Sequence, residues 1–246
     1  MFSELGLVRS TARPEGYWAL SRASAPGSAL QLTRVDGVEL CVDFVRGKAR
    51  HRMKEAGFGA SMLTKALGVR SFFRRNGEYP CIVDATGGLG QDAWALASTG
   101  CQLTLFEQHP VIHALLADAL RRAAKNPATS EIASRVTLTR ANAEQAMRNL
   151  RKQDMHAVYL DPMYPEKRRN AASKKGMQFL HELLGPVPAQ ESPSLFLSAV
   201  ATGVSRVVVK RPNGAPCLPG SEQFSGQKTE VISPNTRYDI YLRGST

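Results

Sequence analysis

The spacing of apolar and polar residues changes along the chain near residue 80. Before that point, segments such as YWALSR and LQLTRVDGVELCVDF alternate polar with apolar residues, which predicts short strands. A short helix is predicted over residues 60–67. We therefore expect residues 1–70 to form a small α+β N-terminal region and residues 71–246 to form the main domain.

After residue 80, short apolar runs alternate with segments of helical spacing. Strands are predicted at residues 81–84, 102–107, 135–139, 157–161 and 204–210. Helices are predicted at residues 91–98, 110–125, 144–150 and 177–184, and a closing hairpin at residues 230–233 and 238–242. This alternation is typical of a parallel sheet covered by helices on both faces, so the predicted fold class is α/β.

Length and composition fit an ordinary globular protein. The chain has 246 residues, of which 43% are hydrophobic and 22% charged. Apolar runs fall short of the roughly 18 residues that a membrane helix needs, and the first residues lack a secretory pattern, so we expect a cytoplasmic protein. The four cysteines form no C-x-x-C pair, and Cys81 and Cys101 are predicted to be small core residues.

The chain is strongly basic, with a formal net charge of +11. The positive residues cluster in RGKARHRMK (46–54), RSFFRR (70–75) and KRRNAASKK (167–175), a pattern that favours a phosphate-bearing partner such as RNA. A soluble protein that happens to be basic is the alternative. The candidate residues for RNA contact are Lys167, Arg168, Arg169, Lys174, Lys175 and Lys210.

Glycines follow the first predicted strand of the main domain, where Asp84 precedes Gly87, Gly88 and Gly90. Glycines at such a turn let the backbone approach a ligand closely. The G-x-G-x-x-G spacing of a dinucleotide fold is absent. An acidic residue before the glycines repels a pyrophosphate but attracts a cationic ligand, such as the methionine part of S-adenosylmethionine. A tight turn without a ligand is the alternative.

Two further strand ends carry polar side chains. Glu107 ends the second strand, where a carboxylate can accept hydrogen bonds from both hydroxyls of a ribose. It could equally be a solvated loop residue. Asn142 follows the third strand and either contacts an adenine edge or caps the next helix.

The fourth strand ends in the stretch Asp161-Pro162-Met163-Tyr164-Pro165. Because proline has no N–H, the backbone there offers carbonyl groups to an amine. Asp161 and those carbonyls are predicted to accept the hydrogens of an exocyclic amino group, while Tyr164 stacks on the base. A proline-rich turn with a core tyrosine is the alternative.

The D-P-M-Y-P stretch resembles the [D/N]-P-P-[Y/F] motif of amino-methyltransferases, with Met163 in place of the second proline. A wider set of segments resembles the ribosomal RNA small subunit methyltransferase J family. The matching segments are VDFVRGKARHR (42–52), VDATGGLGQDAWALASTGC (83–101), FEQHPV (106–111), VYLDPMYPEK (158–167), VVVKRP (207–212) and RYDIY (237–241).

This resemblance implies a class I (Rossmann-like) methyltransferase fold with a mostly parallel seven-stranded sheet. It implies S-adenosyl-L-methionine as cofactor, N2 of a guanine in 16S rRNA as target, and 16S rRNA or the 30S subunit as partner, with no metal. The implied cofactor contacts are Gln91, Asp92, Glu107, Gln108, Asn142, Ala143 and Asp161. Gln91 and Gln108 stand where the family pattern has basic residues, so cofactor affinity is expected to differ.

Several other residues have two interpretations each. Phe44, Phe72 and Phe73 either assist base stacking or pack in the core, and we favour the core. His109 and His113 have the i, i+4 spacing of metal ligands without a third ligand, so we expect helix surface. Lys210 and Arg211 either contact substrate phosphate or form structural ion pairs.

Three other functions compete with this hypothesis. They are a methyltransferase acting on DNA adenine or a protein glutamine, an NAD(P) oxidoreductase, and an RNA-binding module without catalysis. The missing G-x-G-x-x-G argues against the oxidoreductase.

Overall fold

The computed structural model describes residues 19–22, 27–34, 36–45, 62–164 and 192–244. The predicted helix at 177–184 and the basic runs at 46–54 and 167–175 lie outside the described residues. Among the described helices, none is both long and apolar enough to cross a membrane.

Short antiparallel strands occupy the N-terminal region, as the alternating pattern predicts. The three strands are β1 (Ala19–Arg22), β2 (Leu30–Thr33) and β3 (Glu39–Leu40), in the order β1-β2-β3. Leu30 and Leu32 of β2 are buried, because side chains two residues apart on a strand face the same side.

A seven-stranded sheet forms the centre of the main domain. Its strands are β4 (Cys81–Asp84), β5 (Gln102–Phe106), β6 (Val136–Thr139), β7 (Ala157–Leu160), β8 (Arg206–Pro212), β9 (Gln227–Ile232) and β10 (Thr236–Leu242). The order is β6-β5-β4-β7-β8-β10-β9, in which β10 alone runs antiparallel to its neighbours β8 and β9 within a sheet that is otherwise parallel. The predicted mostly parallel α/β sheet is confirmed.

Helices connect the strands. They are α1 (Met62–Ala66), α2 (Val69–Asn76), α3 (Gln91–Ser98), α4 (Pro110–Ala124), α5 (Ser130–Ser134), α6 (Ala143–Met147) and α7 (Ser194–Ala201). Of these helices, α1, α3, α4 and α6 are predicted from the sequence, and α2, α5 and α7 are not. The run RSFFRR in α2 is interpreted from the sequence as a charge cluster with two phenylalanines that either stack on the base or pack in the core, although Gly68 and Gly77 bound it as a helix.

One hydrophobic core crosses the predicted boundary at residue 70. Leu32 and Phe44 belong to the same buried cluster as Leu63 and Trp94, and the rings of Phe44 and Trp94 stack with centroids 4.3 Å apart. Residue 70 as a domain boundary therefore stays a prediction. Cys101 is buried as expected, whereas Cys81 is exposed, so the expectation of a core Cys81 is wrong.

A buried carboxylate fastens the N-terminal strands to α4. Asp118 accepts hydrogen bonds from the Leu30 backbone N–H at 2.9 Å, from Arg22 at 2.5 Å, from Arg121 at 2.8 Å and from Arg122 at 2.9 Å. Burial alone would raise the pKa of Asp118, but the Leu30 N–H and the three guanidinium groups hold it well below its usual range.

Candidate active site

Five parallel strands end at one edge of the sheet, and the candidate residues collect there. Strand order reverses between β4 and β7, since the chain moves outward through β5 and β6 on one side and through β8 on the other. In open α/β sheets, ligands bind beyond the carboxyl ends of the strands at such a reversal. Asp84 ends β4, Glu107 follows β5 and Asp161 follows β7, so all three lie at this edge.

The turn from β4 into α3 has little room for side chains. The Gly87 N–H donates to the Phe106 carbonyl at 2.9 Å, and a Cβ on Gly87 would lie 3.0 Å from that oxygen. Gly90 has a φ of 70°, and a Cβ there would lie 2.6 Å from Cδ1 of Leu116. The glycines are therefore required for the backbone to follow this path.

Glu107 is held in place by the glycine turn. Its Oε2 accepts from the Gly88 N–H at 2.9 Å, and its Oε1 accepts from the His109 N–H at 2.7 Å. Burial raises the pKa of Glu107, and the backbone N–H groups oppose that shift. Glu107 is a half-buried carboxylate that accepts two backbone hydrogen bonds, so it is a fixed acceptor and not a solvated loop residue.

Asn142 caps α6, which was one of its two interpretations. Its Oδ1 accepts from the Gln145 N–H at 3.2 Å, and its Nδ2 donates to Oε1 of Gln108 at 3.2 Å. Ala143 is the first residue of α6, next to this cap. Gln108 thus interacts with a neutral side chain where the family pattern has a basic residue, and Gln91 is exposed at the start of α3.

Asp84 is almost completely buried, with 2% of its surface exposed. Its Oδ1 accepts from the backbone N–H and the hydroxyl of Thr86 at 3.0 and 3.2 Å. Burial raises the pKa of Asp84 to about 7, and the nearby carboxylates of Asp92 and Asp161 add to the shift. The Thr86 hydroxyl also accepts from the Asp161 N–H at 2.7 Å, which ties the glycine turn to the loop after β7.

Lys210 lies between two carboxylates. Its Nζ is 2.7 Å from Oδ2 of Asp92 and 2.8 Å from Oδ2 of Asp161. The hydroxyl of Tyr159 donates to the same Asp92 oxygen at 2.7 Å. Of the two interpretations of Lys210, the ion pair is the one observed, and an RNA contact by this residue stays a prediction. The part played by Tyr159 was missed, because it is hidden within an apolar strand.

Tyr164 has a cation against its ring. The Arg211 guanidinium carbon lies 4.7 Å from the ring centroid, and Arg211 is buried, with its Nε donating to the Pro216 carbonyl at 3.0 Å. This geometry suits a cation–π contact. Arg211 therefore supports the aromatic ring that the sequence analysis assigns to base stacking.

The phenylalanines considered for stacking pack elsewhere. Phe72 lies against His156 and Phe73 against Tyr79, with ring centroids 4.5 and 4.7 Å apart. Within the described part of the chain, no group of three or more potential metal ligands is found. Lys167, Arg168, Arg169, Lys174 and Lys175 lie outside the described residues.

The charges and space of this edge fit a cationic nucleoside ligand. The Lys210 ammonium group lies between the carboxylates of Asp92 and Asp161, and Asp84 lies close to both of those carboxylates. A Cβ added at Gly88 would meet only the Thr86 carbonyl oxygen, at 3.6 Å, so there is open space beside this glycine. A class I methyltransferase that uses S-adenosyl-L-methionine is the class of enzyme that this fold and site define.

Comparison with known proteins gives the family. Residues 12–243 match the family described as "Putative SAM-dependent methyltransferase". A crystal structure of a SAM-dependent methyltransferase from Neisseria gonorrhoeae is similar, with a TM-score of 0.72, 33% identity, and coverage of 98% of this chain and 89% of that one.

Two curated relatives narrow the family further. The ribosomal RNA small subunit methyltransferase J of Hydrogenovibrio crunogenus is 42% identical over 204 residues, which are 82% of this chain and 69% of the relative. That of Pseudomonas fluorescens strain Pf0-1 is 40% identical over 200 residues, 81% of this chain and 73% of the relative. The chain belongs to the ribosomal RNA small subunit methyltransferase J family.

Proposed function

We propose that this protein transfers a methyl group from S-adenosyl-L-methionine to the exocyclic N2 of a specific guanosine in 16S ribosomal RNA. The observation that carries the proposal is the loop at 161–164, where a carboxylate and an aromatic ring follow one buried strand at the cofactor edge of the sheet. The names of the relatives, which specify small-subunit ribosomal RNA, support RNA over DNA or protein as substrate. Because the proposed substrate is ribosomal, we propose that the protein acts in the cytoplasm.

The cofactor is assigned to the glycine turn and the acidic strand ends. When bound, S-adenosyl-L-methionine supplies an electrophilic methyl group to the target nitrogen. Glu107 is suited to accept hydrogen bonds from ribose hydroxyls, and Asp84 and Asp92 add negative charge near a cationic ligand. The proposed cofactor-binding residues are Asp84, Gly87, Gly88, Gly90, Gln91, Asp92, Glu107, Gln108, Asn142, Ala143 and Asp161.

The proposed catalytic residues are Asp161, Pro162 and Tyr164. The N2 amine of guanine is a poor nucleophile, because its lone pair is delocalised into the ring. Hydrogen bonds accepted by Asp161 favour a more tetrahedral nitrogen and orient it for in-line attack. Extruding a base from a helix costs a few kcal/mol, part of which stacking on Tyr164 offsets.

Methylation of defined substrates tests the proposal. We expect labelled cofactor to modify naked 16S rRNA or assembled 30S subunits, and mass mapping to locate one N2-methylguanosine that is missing without the enzyme. Asp161→Ala is expected to lose activity while RNA binding is retained. Label transferred to DNA or protein but not to 16S rRNA or 30S subunits would refute the proposal.

The basic run after the catalytic loop is proposed to hold the RNA. Replacing Lys167, Arg168 and Arg169 by alanine removes up to three phosphate contacts. The slope of log affinity against log salt is then expected to flatten by about 2 units, since each phosphate contributes roughly 0.7 to 0.9. An unchanged salt slope in a filter-binding series would exclude this run from the RNA interface.

A further inference from the structure

The Lys210 ammonium joins the two halves of the candidate site. Asp92 belongs to α3, behind the glycine turn, whereas Asp161 belongs to the loop that carries the target-binding groups. Lys210 contacts both carboxylates within 2.8 Å, and its side chain is only 27% exposed. A surface lysine that merely awaited phosphate would have no such fixed geometry.

The sheet register explains why Lys210 reaches Asp161. Strands β7 and β8 are parallel, and Leu160 pairs with Val209. The next residues along each strand are Asp161 and Lys210, so both lie level at the carboxyl edge. The pairing of β8 with β10 places Tyr238 beside Lys210 on the other side.

A continuous chain of hydrogen bonds runs through this lysine. Tyr159 donates to Asp92, Lys210 bonds to Asp92 and Asp161, the Asp161 N–H donates to Thr86, and Thr86 donates to Asp84. Every link is between 2.7 and 3.2 Å. Moving Lys210 therefore disturbs the glycine turn and the catalytic loop together.

We infer that Lys210 is a positioning residue for methyl transfer, which holds the Asp161 carboxylate as an oriented hydrogen-bond acceptor for the target amine and links it to Asp92. The inference rests on the proposed function of Asp161. It assigns the released amine proton to solvent, because a carboxylate paired with an ammonium group is a weak base.

The charged neighbours support this role. The titratable groups that interact with Lys210 are Asp92 on α3, Asp161 after β7 and Tyr238 on β10, and Tyr159 and Asp84 neighbour those two carboxylates. Burial lowers the pKa of Lys210, but attraction to the carboxylates of Asp92 and Asp161 raises it by a larger amount. The net shift of the pKa is therefore upward, and the ammonium group stays charged through the working pH range. Burial raises the pKa of Tyr238 to about 12, so this neighbour stays neutral.

The test compares Lys210→Met and Lys210→Arg with Lys125→Met, which removes an exposed lysine at the end of α4. The pH–rate profile for methylation of 30S subunits is measured from pH 4 to 9 at saturating cofactor. In Lys210→Met we expect kcat at pH 7 to fall at least about tenfold. We also expect the acid limb of the plot of kcat against pH to move to higher pH by about 1 pH unit or more, since Asp161 loses a cation within 4 Å. Lys210→Arg is expected to restore the acid limb, and Lys125→Met to match the wild type.

Other outcomes overturn the inference. A raised KM for RNA with a weaker salt dependence and an unmoved acid limb would make Lys210 a phosphate contact. A lower melting temperature of the variant with the pH profile of the wild type would make the role of Lys210 only structural. If Lys210→Met does not fold, Lys210→Gln is used for the same test. If the wild-type enzyme methylates no RNA, the proposed function itself is overturned. If the wild type is active and the acid limb of the pH–rate profile is the same in the Lys210 variants, only the role of Lys210 is overturned.

Discussion

Replacing Asp84 by asparagine should make the folded protein more stable at alkaline pH while weakening cofactor binding. The buried carboxyl keeps its proton up to about pH 7, whereas an unfolded chain releases it near the ordinary value of 3.8. Between these values the folded state binds one proton more than the unfolded state. The free energy of unfolding therefore falls as pH rises through this window, and the decline stops above pH 7.

The magnitude follows from the width of that window. Each pKa unit corresponds to about 1.4 kcal/mol, so burying Asp84 destabilises the folded protein by about 4 kcal/mol above pH 7, of which about 2 develop between pH 5 and 7. In Asp84→Asn the side-chain oxygen still accepts both bonds from Thr86, because an amide oxygen has two lone pairs. The variant has no titrating group at this position.

Urea unfolding at pH 5 and pH 8 measures the difference. We expect the stability of Asp84→Asn relative to the wild type to increase by about 2 to 3 kcal/mol between the two pH values, with unchanged m-values. Asp154→Asn, in an exposed surface pair with Arg151, is the control and should show no comparable change. Parallel pH dependences for Asp84→Asn and the wild type would refute the buried-proton argument.

The same titration should appear in cofactor binding. A cationic ligand favours ionised Asp84, so wild-type affinity for S-adenosyl-L-methionine is expected to rise as pH increases through 7, with up to one proton released. Calorimetry in two buffers of different ionisation enthalpy counts the proton. Equal proton release by wild type and Asp84→Asn would assign the proton to another group.

Three further changes have defined outcomes. Gly90→Ala, with its Cβ 2.6 Å from Leu116 and a φ of 70°, should cost about 2 to 4 kcal/mol in urea unfolding, and a loss below about 1 would contradict the clash. Arg211→Lys removes the planar cation from the Tyr164 ring and should lower kcat/KM for RNA about three- to tenfold with cofactor Kd unchanged; equal values would dismiss the contact. Asp118→Asn removes the charge that pairs with Arg22, Arg121 and Arg122 and should cost about 2 to 4 kcal/mol at pH 7. The loss should shrink as pH falls below about 4, because the unfolded wild-type chain then binds a proton at Asp118 that the folded carboxylate does not; a constant loss to pH 2 would refute the ion-pair origin.

Much of the sheet could be predicted from sequence, because buried parallel strands are continuous apolar runs. The run at 157–160 is fully buried and is bounded in the structure almost as predicted. Cys81 shows the limit of the same rule. Cys81 opens an apolar run, but it is the first residue of β4 and lies at the amino end of that strand, where its side chain is exposed.

The strand-end carboxylates could also be found, since the ends of parallel strands meet at one edge. The contacts that join these carboxylates to one another could not be predicted from the sequence. The partners of Lys210 come from α3 and β7, which are distant in sequence, and only the register of β7 with β8 brings the three together. Arg211 under Tyr164 was equally hidden, because a charged residue after a valine run suggests exposure rather than burial.

The strand order has a consequence for how the enzyme is made. Strands β4, β5 and β6 pair with one another and can assemble as soon as they leave the ribosome, whereas β4 reaches its other neighbour only when Val83 meets Val158. Contacts between distant segments form slowly, and domains fold from the N-terminus during synthesis. The Asp92–Lys210–Asp161 bridge must therefore close late, so a nascent chain that already presents its glycine turn is catalytically silent until β8 is added.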